Sequence, residues 1–177
     1  MTTHAHPTLA ELRIRDARPD EREAIRALTL AAYAQYATIM APTAWPGLQE
    51  AILGGLAAEA DADKLVAELG GELVGSVFLF PPAEGGADGG GRMVWPELRL
   101  LAVAPEARGR GIGAALVRAC VERARRSGAE AIGLYSSASM RAALHLYERL
   151  GFTRAPEYDF QPPGGELVMA FYMPLEG

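Results

Sequence analysis

The stretch APEARGRGIGAAL (104–116) sets three alternating glycines, Gly109, Gly111 and Gly113, between an apolar run and an amphipathic one. Glycine loses more backbone freedom on ordering than any other residue, so three within five positions need a structural reason. Ahead of the loop, WPELRLLAVAP (95–105) reads as a strand ended by proline. Behind it, GIGAALVRACVERARRSG (111–128) reads as a helix. Ile112, Ala115, Leu116, Ala119 and Cys120 form its apolar stripe, arginines stand opposite, and Ser127-Gly128 supplies the stop. A loop that leaves a strand and opens a helix presents bare N–H groups at the positive end of that helix, which suits a phosphate. The plainer alternative is a tight turn whose glycines only permit unusual backbone angles. One glycine would fit that; three, with Arg108 and Arg110 on either side of the first, favour the anion.

The other elements set the fold class. LRIRDA (12–17) alternates as a short strand, and 19–37 opens with proline and acidic residues and carries Ile25, Leu28, Ala32 and Tyr36 near helical spacing. APTAW breaks that helix and 46–60 forms a second, shorter one. KLVAELGGELVGSVFLF (64–80) is a hairpin turning at Gly70-Gly71. AIGLYSS (131–137) and ELVMAFYMPL (166–175) are strands, and MRAALHLYERLGF (140–152) is a helix ending at Gly151. Strand–helix–strand–helix over 97–150 predicts a parallel pair inside a mixed α/β sheet. Two segments fall outside this pattern: a polar tail at 1–10, and a glycine-rich loop at 81–94 read as mobile.

Which phosphate ligand the loop takes is narrowed by what surrounds it. A nucleoside triphosphate loop requires Gly-Lys followed by Ser or Thr, and this loop contains no lysine. Gly109, Gly111 and Ala114 satisfy the dinucleotide spacing, but the next strand ends in YSSAS without the acid that holds a ribose hydroxyl. Glu130, the nearest acid, precedes that strand. A third pattern, arginine or glutamine, two residues, glycine, one residue, then glycine or alanine, is filled by Arg108, Gly111 and Gly113, and LYERLGF follows one strand and one helix later. With both motifs at this separation, the chain resembles the GNAT acetyltransferase superfamily, over 97–152 by motif and nearly throughout by element order.

The resemblance implies a mixed central sheet of six to seven strands flanked by about four helices, one domain over 1–177, and acetyl-CoA as cosubstrate. The backbone amides of Arg108, Gly109, Arg110, Gly111, Ile112, Gly113 and Ala114 would hold the diphosphate. Leu101 to Val103, at the end of the fourth strand, would supply a backbone N–H to the thioester oxygen, Val103 foremost. Acetyl transfer to an amine also needs the amine neutral, although an alkyl ammonium has a pKa near ~10, and a proton for the departing thiolate. Tyr147 shares a helix face with Met140, Ala143 and Leu144, so spacing alone reads it as a core aromatic. The resemblance instead makes it the acid at the CoA sulfur. The family often has Asn seven residues before this tyrosine; here that residue is Met140. Glu97, at the start of ELRLLAV, is either the base, a role some family members give a glutamate there, or the partner of Arg99 on the same strand face.

Composition bounds the rest. A formal charge of −5 argues against a general nucleic-acid or anionic-membrane binder, despite a local cluster of Arg108, Arg110, Arg118, Arg123, Arg125 and Arg126. One cysteine and three scattered histidines predict no disulfide and no metal site. Cys120 reads as a buried small hydrophobe and His145 as a surface residue. The N-terminal stretch does not read as a signal peptide and no run is long enough to span a bilayer, so the expected compartment is the cytoplasm. The function the resemblance implies is acetyl-CoA-dependent N-acetylation of a primary amine on a small molecule or peptide, by direct transfer in a ternary complex. The alternative is a non-catalytic acyl-CoA sensor of the same fold. Residues 19–60 and 156–165 would face the acceptor, with Tyr33, Tyr36, Trp45 and Tyr158 as pocket candidates. The last strand, if exposed, would pair across a two-fold axis in a homodimer.

Overall fold

A computed structural model describes residues 11–84 and 93–176. The tail at 1–10 and most of the glycine-rich segment expected at 81–94 lie outside the described residues. Seven strands form one sheet: β1 (Leu12–Asp16), β2 (Asp63–Leu69), β3 (Glu72–Phe80), β4 (Glu97–Val103), β5 (Ala131–Ser136), β6 (Thr153–Arg154) and β7 (Met169–Pro174). Their order across the sheet is β1-β2-β3-β4-β5-β7-β6, antiparallel throughout except for the expected parallel pair β4–β5. The hairpin turns where anticipated, with Leu69 opposite Glu72. The last strand is not an edge: β7 lies between β5 and the two-residue β6, which sequence periodicity is too short to reveal.

Both faces of the sheet are covered, which is why β2 and β3 read as near-continuous apolar runs. Leu65, Ala67, Val77 and Leu79 point to one side and meet the stripe Ile112, Leu116, Val117 and Cys120 of α4 (Ile112–Arg126). Val66, Phe78 and Phe80 alternate to the other side, against Ile25 of α1 (Arg22–Tyr33) and Ile52 and Leu56 of α3 (Trp45–Ala57). The arginines on the outer face of α4 are drawn into ion pairs: Arg123 with Asp16 and Asp63, Arg125 and Arg126 with Glu122. Cys120 is fully buried. Among the described residues the remaining long helix is α5 (Arg141–Leu150), with His145 on its exposed side.

The helix expected over 19–37 differs in one respect. A turn at Pro19–Glu21 leads into α1, which ends at Tyr33, and a one-turn helix α2 (Tyr36–Ile39) follows. No glycine or proline marks this interruption. It frees the carbonyl of Ala32, and the guanidinium of Arg108 takes it through Nη2 at 2.8 Å while Nη1 donates to Gln35 Oε1 at 3.2 Å. A cation at the carbonyl end of a helix also complements its dipole. The break is therefore held by a partner 76 residues along the chain, which no local pattern could announce.

Candidate active site

The site begins with an irregularity in β4. Between the pairs Ser76↔Ala102 and Phe78↔Arg99, β3 advances two residues while β4 advances three. The extra residue makes a β-bulge, and Leu100 there has φ 55°. A left-handed leucine costs roughly 1–3 kcal/mol and persists only where its surroundings over-determine it. Here Leu100 packs against Gly55 of α3, where an added Cβ would meet its Cδ1 at 3.1 Å. Bulges bend the strand that carries them. β4 pairs with β5 only at Glu97↔Gly133 and Leu98↔Leu134, and beyond the bulge the two strands have no further ladder contact.

That parting leaves one backbone edge open. Ala104 donates its N–H to Val74 on β3, so by strand alternation Leu101 and Val103 direct their backbone groups to the opposite side, toward the parted β5. Beside this edge, α4 begins. Gly109 and Gly111 have φ 73° and 78°, and nothing lies within 4 Å of a Cβ added at either. The turn explanation thus holds for their backbone angles, and beyond the adjoining residues no protein atom crowds the space above them. The first intrahelical bond runs from Ala115 N–H to Gly111 O, so the N–H groups of Ile112, Gly113 and Ala114 have no helical acceptor. Gly113 serves a different purpose from its two neighbours: an added Cβ would sit 3.3 Å from Leu146 Cδ2, so it lets α5 close on α4. Arg110 is half-buried, whereas Arg108 turns away to α1 as described.

Tyr147 of α5 is 5% exposed and stacks edge-on against Phe152, ring centroids 5.8 Å apart. Its ring is part of the main core cluster, as helical spacing implied. Burial raises the phenol pKa far above its ordinary value, with Tyr33, Tyr36 and Cys120 nearby adding to the effect. The hydroxyl accordingly keeps its proton at any physiological pH. The Cys120 thiol is pushed up to about 12 by burial and is no nucleophile at neutral pH.

On the α1–α3 face of the parting lies a cavity of about 490 Å³. Its wall includes Tyr33, Ile52, Glu97, Arg99, Tyr135 and Phe160. Glu97, 4% exposed, is gripped by Arg99 in a two-point ion pair, Nε to Oε1 at 2.5 Å and Nη2 to Oε2 at 2.8 Å, and the Arg99 guanidinium lies 5.0 Å from the centroid of the Phe80 ring. Of the pocket candidates, Tyr33 lines this cavity, and of the segment 156–165 Phe160, Pro162, Pro163 and Gly165 contribute to its wall. Tyr36 and Trp45 pack with Met40 and Ala44, and Tyr158 packs on Trp95 in a separate aromatic cluster. Sequence reasoning missed Leu100, Glu166 and the serines after Tyr135, since none carries a motif. Among the described residues no group of three or more His, Cys, Asp or Glu side chains is disposed to hold a metal, and no helix is long and apolar enough to cross a membrane.

The fold is similar to that of acetyltransferases of known structure. One from Staphylococcus aureus superposes with a TM-score of 0.70 at 15% identity, covering 93% of this chain and 99% of that one. Another, from Brucella melitensis and solved in complex with acetyl-CoA, gives 0.62 at 25% identity, covering 94% and 89%. The chain belongs to the acetyltransferase (GNAT) family, whose model matches residues 23–152. Similar curated proteins include the mycothiol acetyltransferases of Cellulomonas flavigena, 35% identical over 101 residues, and Sanguibacter keddieii, 38% over 94. These matches cover 56% and 51% of this chain but only 29% and 28% of the relatives, so the likeness spans under a third of their length.

Proposed function

We propose that the protein transfers the acetyl group of acetyl-CoA directly to a primary amine held in the 490 Å³ cavity. The observation that carries this reading is the parting of β4 from β5 between that cavity and the amide-rich start of α4. The diphosphate would rest on the N–H groups from Gly109 to Ala114, where the helix dipole acts together with the amides of Ile112, Gly113 and Ala114 that have no helical acceptor. Backbone groups of Leu101 and Val103 would hold the rest of the cofactor, and the Val103 N–H would stabilise the thioester oxygen as it gains charge. Tyr147, kept neutral by burial, would donate its proton to the leaving thiolate. Because Cys120 is buried and its thiol protonated, an acetyl-cysteine route has no support, which favours a ternary complex.

Glu97 is the residue we assign to take up the amine's proton. Its two oxygens are engaged by Arg99, so the pair holds the charge in place rather than presenting a bare carboxylate. The same experiment tests activity and this assignment. The protein is incubated with acetyl-CoA and a panel of amines, amino acids, aminoglycosides and peptides, and product is detected by mass spectrometry. An acetylated amine is the expected result; none across the panel, with acetyl-CoA bound, points to a sensing module. On the acceptor so found, Glu97→Gln should lower the rate most below the amine's own pKa, where the substrate arrives protonated, and least above it. A uniform loss at every pH would leave Glu97 only its ion pair.

A further inference from the structure

Buried polar atoms are almost always hydrogen-bonded, and each exception asks for a cause. Among the described residues five buried side-chain atoms have no partner: Ser76 Oγ, Tyr135 Oη, Ser136 Oγ, Ser137 Oγ and Glu166 Oε2. All but the first belong to residues that line the 490 Å³ cavity. Glu166 is the costliest of these. Its Oε1 accepts the hydroxyl of Ser139, which fixes the side chain, while Oε2 is left with nothing. The charged residues of the cavity wall are Glu97, Arg99 and Glu166. The first two form an ion pair, so the wall carries one unmatched negative charge, at Glu166. A neutral donor would satisfy the geometry, but a cationic donor also balances the carboxylate, and charge-assisted bonds are roughly twice as strong as neutral ones.

We infer that Glu166 selects the acceptor: the substrate is an amine with a second cationic group, which binds Glu166 Oε2 while the amine that reacts remains free of it. The word acceptor rests on the acetyl-transfer reading; the cation site does not. Ser139 holds Glu166 in position, and the hydroxyls of Tyr135, Ser136 and Ser137 offer neutral hydrogen-bond partners in the same cavity.

The test is binding to the full chain without cofactor, measured by calorimetry with straight-chain diamines of three to six carbons and monoamines of equal length. The best diamine should bind at least ~10-fold tighter than its monoamine, as expected for a charge-assisted bond. Glu166→Gln, which keeps the shape and removes the charge, should bring the two within about twofold while the melting temperature holds. Ser139→Ala should retain a preference. Equal binding by the wild-type protein, or a preference that survives Glu166→Gln, overturns the inference. Acetylation is then scored separately with the same amines. Selective diamine binding without any acetylated product would overturn acetyl transfer and leave the cation site standing; acetylation of mono- and diamines alike would do the reverse.

Discussion

Tyr147→Phe lowers kcat by about 100-fold or more and leaves acetyl-CoA affinity within about twofold of wild type. The substitution keeps the ring, its edge-on packing against Phe152 and its place in the core, so the fold is not put at risk. What disappears is one hydroxyl proton. Burial holds the phenol's pKa well above its usual value, so it is protonated wherever the enzyme would work, and no activity limb at neutral pH arises from its ionisation. A thiolate leaving without a proton from an acid would have to rely on solvent. Steady-state kinetics together with calorimetry of acetyl-CoA separate the effects. An unchanged kcat returns Tyr147 to a packing role alone.

Gly111→Val reduces acetyl-CoA affinity by at least ~100-fold, an effect on the cofactor's seat rather than on folding. With φ at 78°, a side chain here costs roughly 1–2 kcal/mol, but beyond the adjoining residues no protein atom lies within 4 Å of its Cβ. The added methyls would occupy the space the diphosphate needs. Gly128, at the other end of α4, supplies the control. It too has φ 78° and open space around a built Cβ. Gly128→Val should cost similar stability and leave acetyl-CoA binding intact. If both variants bind normally, the glycine loop is a turn and nothing more.

Much of the fold was legible because it rests on local rules. The α4 stripe, the hairpin at Gly70-Gly71 and the proline that ends the β4 run are each written in a few adjacent residues, and the parallel β4–β5 pair follows from the intervening helix. The glycine loop was legible for the same reason. What escaped notice depends on distant partners. Leu100 takes a left-handed conformation that its own chemistry disfavours, because the β3 register and the surface of α3 demand it. Arg108, assigned to the anion by its motif, turns its side chain to a carbonyl exposed by an unmarked break between α1 and α2. Glu166 falls in what read as the start of the last strand. The strand begins only at Met169, and the carboxylate instead hangs over the cavity, fixed by Ser139 from another loop. Tyr147 divides the two cases: its burial was plain from periodicity, whereas a chemical role came from resemblance.

Acetyl-CoA is expected to lie along the open edge of β4 with its diphosphate on the start of α4. Backbone amide resonances of the nitrogen-15-labelled protein, followed during titration with acetyl-CoA, test it most directly. The N–H signals of Leu101, Val103, Ile112, Gly113 and Ala114 should move together and saturate, while those of the β2–β3 hairpin turn stay in place. Saturable shifts confined to other residues, with these five unmoved, would contradict it.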